Sequence, residues 1–203
     1  MRERLPRGAL SRDAIILAAL GLLERGGTPA LTIRGVAHEL GSDPTALYRH
    51  FRSKSEMLGA IGDRLLADVS GPREGATWRG ALEQVASDLR DVLSRHPGGV
   101  GLFAESDYTP AAARLVERTV AHLIATGLPA PLAGSAVRAT VTLAFGNAVQ
   151  TTEYQFWPAL LLLARPPLAF PAIHADAAGW TAGPETHFEH QLALLLDGIG
   201  AQL

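Results

Sequence analysis

The sequence predicts an all-α fold, and three observations support this prediction. Apolar residues recur at intervals of three and four along most of the 203-residue chain, as on one face of an amphipathic helix. These periodic segments begin at Ser, Thr or Asp and end at Gly or Pro, the usual helix start and stop signals. No alternating apolar and polar stretch bounded by hairpin turns competes with them.

The first two helices are predicted from their caps. One follows Ser11 and ends at Gly26-Gly27, and the other follows Thr32 and ends at Gly41. In both segments the apolar residues have helical spacing. They are Ile15, Ala18, Ala19, Leu22 and Leu23 in the first helix, and Ile33, Val36, Ala37 and Leu40 in the second.

The next two helices have stronger start signals. Asp43-Pro44 opens a short third helix that ends near Phe51, because Asp caps free amides and proline at the first helical position needs no amide partner. Residues 53–56, with the sequence SKSE, form a capping box and open a long fourth helix that continues to Gly71-Pro72. Its predicted inward residues are Met57, Leu58, Ile61, Leu65 and Val69.

Further helices are predicted beyond the Gly-Pro break, again bounded by caps, glycines and prolines. They lie near 77–95, 109–126, 132–156 and 184–202. Residues 157–183 are rich in Pro and Ala and show no clear periodicity, so we expect a long loop there. The chain thus has a small helical N-terminal domain joined through the fourth helix to a larger helical domain.

Charge is distributed unevenly along the chain. Residues 1–54 contain nine Arg and Lys against five Asp and Glu (+4), whereas residues 55–203 contain nine against fifteen (−6). Only the N-terminal quarter therefore suits a polyanion. The arginines nearest the start could form an arm along phosphates or in a minor groove, or a solvated tail. They are Arg2, Arg4, Arg7 and Arg12.

The composition excludes several other classes of protein. The chain has no cysteine, hence no disulfide framework, thiolate nucleophile or cysteine zinc site. The first thirty residues lack the apolar core of a signal peptide, and the longest apolar run, 157–164, is much shorter than a membrane span. We therefore expect a cytoplasmic protein that has no membrane partner.

The second and third helices and the turn between them have the lengths of a helix-turn-helix, whose second helix enters the major groove of DNA. The predicted third helix hides Leu47 and Phe51. Its outward residues combine groups that hydrogen-bond phosphate, a cation and a methyl group suited to thymine. They are Thr45, Ala46, Tyr48, Arg49 and His50. Any helical hairpin with a polar surface is the alternative.

Three motifs carry a family resemblance. Residues 31–41 read LTIRGVAHELG, residues 45–51 read TALYRHF, and Lys54 begins the next helix. Together they resemble the N-terminal domain of the TetR family of bacterial repressors. The resemblance implies that Arg34 contacts DNA from the second helix and that Lys54 meets a phosphate, although a solvated capping-box lysine also explains Lys54. It places Thr45, Ala46, Tyr48, Arg49 and His50 on or beside the groove.

The C-terminal part is similar to the tetracycline-repressor class, with Trp78, residues 93–96 and Gly127 in matching places. We divide the chain into a basic arm (1–10), a helix-turn-helix domain (11–55) and a ligand-binding and dimerisation domain (56–203). The resemblance implies that the helices near 132–156 and 184–202 pair with their copies in a homodimer. An apolar stripe suits that interface, or else faces the chain's own core. It comprises Phe188, Leu192, Leu195, Leu196 and Ile199.

The effector site departs from the tetracycline-responsive pattern, in which a histidine helps to anchor drug-bound magnesium. The aligned positions hold Val85, Leu89 and, at the histidine, Phe103, none of which ligates a metal. We expect a largely apolar organic effector, no cofactor and no metal site. His187 and His190 are interpreted as polar residues at a helix start. The candidate effector residues, each alternatively a core or surface residue, are Val85, Leu89, Phe103, Arg114, Phe145, Asn147 and Thr151.

Two other functions remain as alternatives. An enzyme needs a nucleophile, a poised base and a stabilising site, and the sequence has no Gly-x-Ser-x-Gly elbow, phosphate-binding glycine loop or paired carboxylates beside a histidine. A helical small-molecule-binding protein without a role in DNA binding would leave the basic N-terminal quarter unexplained. We therefore predict a non-enzymatic repressor that binds palindromic double-stranded operator DNA as a homodimer and leaves it on binding a small organic effector.

Overall fold

A computed structural model describes residues 10–96, 98–106, 109–152, 171–175 and 183–203. These residues contain ten helices and no strand, which confirms the predicted all-α class. Arg2, Arg4, Arg7, Trp157 and most of 157–183 lie outside the described residues. The helices are α1 (Arg12–Ala30), α2 (Ile33–Glu39), α3 (Pro44–Leu47), α4 (Lys54–Leu66), α5 (Trp78–Arg95), α6 (Gly99–Glu105), α7 (Pro110–Ala125), α8 (Ala130–Thr152), α9 (Pro171–Ala175) and α10 (Pro184–Gly200).

The chain forms two compact units. The first contains Met1–Gly71 and Asp91–Arg118, and the second contains Pro72–Arg90 and Thr119–Leu203. Both α5 and α7 therefore contribute residues to each unit. None of the described helices is long and apolar enough to cross a membrane.

In the first unit, helices α1 to α4 each begin with a side-chain cap at the predicted position. Each cap accepts a hydrogen bond from a backbone amide two or three residues on, which satisfies one of the free N–H groups of a helix start. The pairs are Ser11 with Ala14 (3.1 Å), Thr32 with Gly35 (2.9 Å), Asp43 with Thr45 (2.8 Å) and Ser53 with Glu56 (3.0 Å). The predicted starts of α1, α2, α3 and α4 are thus confirmed.

The predicted end of α1 is only partly right. Gly27 breaks the helix with φ 62° and ψ −170°, a conformation that glycine adopts without strain. The chain then makes one more helical turn to Ala30. Thr28 explains why the chain continues here, since it is 7% exposed and its hydroxyl donates to the Gly98 carbonyl at 2.9 Å. A tertiary contact therefore extends the helix beyond its sequence stop signal.

Two short helices were not predicted. Helix α9 lies inside the segment 157–183 that we expected to be a loop. Helix α6 has a weak helical sequence, because it contains Gly99 and Gly101 and its N-cap makes no side-chain hydrogen bond. It packs on α4, where Leu102 is completely buried. Tertiary packing, which periodicity does not report, stabilises this helix.

Helix α4 lies close to Phe103 of α6 at Gly62. A β-carbon at this position would lie 2.9 Å from the Thr109 methyl carbon and 3.0 Å from the Phe103 ring. Contacts this short require neighbouring atoms to move. The Phe103 ring therefore lies against α4 because residue 62 has no side chain.

In the second unit, α8 packs against α10. The predicted apolar stripe of α10 supplies buried residues of this core, with Phe188 and Leu196 each 1% exposed, Ile199 5% and Leu192 7%. The Asn147 side-chain amide donates to the Pro184 carbonyl at 3.0 Å, which ties α8 to the start of α10. A single chain already buries most of the stripe.

We predict that Gly62→Ala destabilises the protein by about 1–3 kcal/mol, because the added methyl overpacks the contact with Phe103 and Thr109. Gly80→Ala in α5 is the matched control: its β-carbon would make an ordinary 3.5 Å contact with Thr77, and we expect it to stabilise by about 0.4–1 kcal/mol. Chemical denaturation followed by circular dichroism measures both changes. An unchanged or raised stability of Gly62→Ala would contradict the packing described here.

Candidate functional site

The helix-turn-helix is formed by α2, a tight turn and α3. Gly41 has φ 59°, the left-handed conformation that reverses the chain after α2, and the Ser42 amide donates to the Ala37 carbonyl at 2.9 Å. Helix α3 is shorter than predicted, since it ends at Leu47 and a turn continues to His50. Leu47 and Phe51 are buried, as predicted.

The surface of this motif carries the residues predicted to bind DNA. Arg34, Thr45 and Arg49 are exposed, and Tyr48 is 55% exposed although it is a large aromatic residue. Ala46 and His50 are half-buried. Arg34 of α2 and Arg49 after α3 each present a guanidinium group, Thr45 presents a hydroxyl and Tyr48 a phenol. All four groups can hydrogen-bond to a ligand outside the chain.

Thr45 is engaged by its own helix cap. Its hydroxyl donates to the Asp43 carboxylate at 2.6 Å, and its amide donates to the same oxygen at 2.8 Å. The hydroxyl bond, followed by the amide bond, holds the pKa of Asp43 below its ordinary value. With its hydrogen committed to Asp43, the Thr45 hydroxyl presents its oxygen as an acceptor, which suits a base amino group better than a phosphate.

Arg12 contacts the end of the recognition segment, by which we mean α3 and the turn after it, residues 44–51. Its guanidinium donates to the His50 carbonyl at 2.7 Å and to Glu56 at 3.1 Å, and lies 4.1 Å from the centre of the Phe51 ring. Arg12 therefore belongs to helix α1 and not to an unstructured arm. As the first residue of α1, it bridges the end of the helix-turn-helix and the start of α4.

Glu56 takes part in the same cluster. One carboxylate oxygen accepts from the Arg52 amide at 2.7 Å, and the other from Arg12. The Arg52 amide first, and Arg12 second, lower the pKa of Glu56. Only half of the predicted capping box is observed, because Glu56 accepts from the residue before Ser53 instead of from Ser53 itself.

Lys54, the only lysine in the sequence, has a partner that the sequence did not predict. Its ammonium nitrogen lies 2.7 Å from a carboxylate oxygen of Glu105, the last residue of α6. The two side chains remain 41% and 49% exposed. The contact was missed because α6 itself was not predicted.

The predicted effector residues are divided between the two units. Val85, Leu89, Phe145 and Asn147 belong to the second unit, where all except the half-buried Phe145 are buried. Phe103 and the exposed Arg114 belong to the first unit. Thr151 lies in α8, and its side chain is outside the described part of the structure. Which of these residues contact a ligand stays a prediction.

One cavity in the first unit includes Arg114. It has a volume of about 570 Å³ and lies between the end of α4 and the first half of α7. Leu66, Val69 and Leu115 supply its apolar lining, and charged side chains of α7 complete it. The full lining is Leu66, Ala67, Val69, Ala111, Ala113, Arg114, Leu115, Glu117 and Arg118.

The residues predicted for the dimer interface differ in how much surface they offer outside their own chain. Phe188, Leu192 and Leu196 are buried in the core of their own chain, and Ile199 is 5% exposed but also lines the groove described below. Leu195 is half-buried, and Leu194 is 64% exposed. A groove of about 510 Å³ lies between α8 and α10. It is lined by Pro129, Pro131, Leu132, Ser135, Ala136, Ala139, Leu195, Ile199 and Gln202.

Metal-ligating residues do not cluster in the part of the chain that the structure describes. No three His, Cys, Asp or Glu residues there could hold one ion together. His187 is half-buried and His190 is exposed at the start of α10. Phe103, at the position aligned with the magnesium-anchoring histidine, presents an aromatic ring to Gly62 and supplies no metal ligand.

Comparison with known proteins matches both parts of the chain. Residues 15–61 match "Bacterial regulatory proteins, tetR family", and residues 71–203 match "Tetracyclin repressor-like, C-terminal domain". The chain is 30% identical to the tetracycline repressor protein class A from transposon 1721 of Escherichia coli over 199 residues, which cover 94% of this chain and 90% of that protein.

Solved structures show the same similarity. A protein described as a possible TetR family transcriptional regulator from Streptomyces coelicolor A3(2) superposes with a TM-score of 0.83 at 26% identity, covering 95% of this chain and all of the other. ActR from Streptomyces coelicolor, solved in complex with actinorhodin, gives a TM-score of 0.81 at 25% identity, covering 96% and 99%.

We predict that Glu56→Gln lowers thermal stability at neutral pH and has a smaller effect in acid. Because the folded-state pKa of Glu56 lies below its ordinary value of 4.5, its stabilising contribution is present above that value and is lost as pH falls through the folded pKa. Thermal unfolding of both proteins by circular dichroism, from about pH 7 to about pH 3.5, measures this difference. Glu74→Gln is the control for removing an exposed carboxylate. A difference between wild type and Glu56→Gln that does not shrink in acid would refute the prediction.

Proposed function

The chain belongs to the TetR family of bacterial regulatory proteins, and from this premise we propose that it is a transcriptional repressor that binds operator DNA as a dimer and leaves it when an organic effector binds. The observation that carries the proposal is the exposed face of the helix-turn-helix. Tyr48, Arg49 and Thr45 project from a segment whose apolar side is buried. Such a face suits the bases and phosphates of a major groove.

The residues divide into two roles. Arg49, Thr45 and Ala46 are the proposed base-reading residues, and the acceptor oxygen that Thr45 presents beside Asp43 suits an amino group of adenine or cytosine. Arg34, Tyr48, His50 and Lys54 are the proposed positioning contacts to the sugar-phosphate backbone. Because contacts to the backbone carry no direct sequence information, the two groups have different experimental signatures.

Dimerisation follows from the small number of base pairs that one recognition segment reads. Two copies related by a twofold axis read a palindrome, which doubles the site. We assign the interface to α8 and α10. The groove there supports this assignment, since Leu132, Ala139 and Leu195 line it and a second copy would bury them. Leu194, on the same helix α10, is 64% exposed.

We place the effector in the domain formed by residues 56–203, and we infer that it is an organic molecule with a large apolar surface. The cavity at Arg114 supports this class of ligand, because Leu66, Val69 and Leu115 would contact an apolar body while Arg114 orients a polar end. Phe103 disfavours a magnesium-chelated drug. The complex of the related ActR with actinorhodin supports an organic ligand on this fold.

Repression and release require that the effector binds the released form more tightly than the DNA-bound form. A hundredfold preference corresponds to about 2.7 kcal/mol, which apolar contact alone can supply. The proposal involves no catalytic step, and the relatives named above are described as regulators. A repressor of bacterial genes acts in the cytoplasm, where we place this protein.

We predict that selection from random duplexes enriches a palindrome, and that a single half-site binds much more weakly. Arg49→Ala should relax the preference at one base position per half-site at a cost of about 1–3 kcal/mol. Lys54→Ala should weaken binding to all sequences and reduce the salt dependence by about one ion per subunit. Arg73→Ala, an exposed arginine after α4, is the control for lost charge. If folded wild-type protein enriched no palindrome, the proposed function would be wrong.

We predict that an apolar organic compound with an anionic end raises the thermal unfolding temperature without magnesium and displaces the operator. Arg114→Ala should weaken binding of that compound, whereas Arg138→Ala, an exposed arginine on α8, should not. A fluorescence-based thermal-shift panel with and without magnesium, followed by operator-release assays, tests this prediction. Stabilisation by magnesium-chelated tetracyclines alone would show that the inferred ligand class is wrong.

A further inference from the structure

The ion pair between Lys54 and Glu105 involves a side chain that the proposed function places in contact with a DNA phosphate. Lys54 is the proposed phosphate contact at the start of α4, yet its ammonium group lies 2.7 Å from the Glu105 carboxylate. A carboxylate and a phosphate oxygen are chemically similar partners for an ammonium ion. The ammonium group has three N–H donors and could contact both, but the two anions would then lie side by side and repel each other.

We propose that Glu105 sets the DNA affinity of this protein by competing within the chain for Lys54. The inference rests on the proposed DNA-binding function and adds a residue to it that lies outside the helix-turn-helix. A phosphate that approaches Lys54 either displaces the Glu105 carboxylate or lies next to it and is repelled by it. Glu105 therefore weakens binding by the free energy of the pair it loses and by its own repulsion from DNA.

Packing holds the backbone of α6 at Glu105 beside the start of α4, which keeps the two exposed side chains within reach of each other. Leu102 of α6 is completely buried, and the Phe103 ring lies against Gly62 of α4. The Ser106 amide donates to the Leu102 carbonyl at 3.0 Å and closes the end of the helix. These contacts hold the end of α6, where Glu105 lies, in place beside the start of α4.

The exposure of both side chains limits how much the Lys54–Glu105 pair can change the affinity for operator DNA. Lys54 is 41% and Glu105 49% exposed, so water and salt screen the pair, and it can be exchanged without unfolding. An exposed pair of this kind changes an equilibrium constant by roughly 1.4- to 5-fold. A dimer that uses two such lysines would gain roughly 2- to 25-fold in operator affinity on losing both carboxylates.

The first experiment is a double-mutant cycle on operator affinity with Glu105→Gln, Lys54→Ala and the double variant. We expect Glu105→Gln to bind roughly 2- to 25-fold more tightly than wild type, and the gain to shrink from about 0.01 M to about 0.15 M salt, as the Debye length falls. In the Lys54→Ala background the gain should fall to that of Glu74→Gln, which removes an exposed carboxylate elsewhere. An equal gain in both backgrounds would mean general repulsion and would overturn the proposal, as would the absence of any gain.

The second experiment needs no DNA and is independent of the proposed function. Because the sequence contains one lysine, lysine-selective isotope labelling gives a single side-chain resonance set in NMR spectra. We expect the Lys54 side-chain signals to move in Glu105→Gln and to stay in place in Glu74→Gln. Identical Lys54 signals in wild type and Glu105→Gln would overturn the ion pair. Failure of the wild type to bind any duplex, with the Lys54 shift present, would instead count against DNA binding.

Discussion

The contact of Phe103 with Gly62 is the constraint on which much of the first unit depends. The sequence of helix α6 has a low intrinsic helix propensity, since two of its seven residues are glycine and its start has no side-chain cap. It packs on α4 through the buried Leu102 and through the Phe103 ring, which lies against Gly62. The close approach places Glu105 beside Lys54, so a packing feature determines which charges lie together on the surface.

A second constraint acts on the recognition segment. Helix α3 contains only four residues, too few to be stable through its own hydrogen bonds. Its end is held from outside, by Arg12 at the His50 carbonyl and by burial of Phe51. Glu56 links the same arginine to the first turn of α4. The orientation of the proposed DNA-reading residues therefore depends on charged groups of α1 and α4 as much as on α3.

In the second unit, an apolar stripe on a helix does not by itself identify a dimer interface, because most of its residues are already buried within the chain. Phe188, Leu192 and Leu196 fill the core of the single chain, so the proposed contact with a partner copy falls on the α8–α10 groove, which Leu132 and Leu195 line. The fold that this chain shares with its relatives does not identify its ligand, because the side chains at a site determine what the site binds. The proposal of an apolar, anion-bearing ligand instead of a metal-chelated one rests on Phe103 and Arg114.

The sequence by itself determined the helical class, the four N-terminal starts and the identity of the recognition segment. Those features depend on local signals, such as Asp43 before Pro44 or the burial of Leu47 beside exposed Tyr48. Only the tertiary structure decided that α1 continues past Gly27, that α6 exists, that Arg12 holds the recognition segment and that Lys54 pairs with Glu105. Each of these depends on residues between 38 and 70 positions apart in the chain, as in the bond from Thr28 to Gly98. Periodicity and capping describe neighbours within one or two helical turns, and therefore contain no information about such contacts.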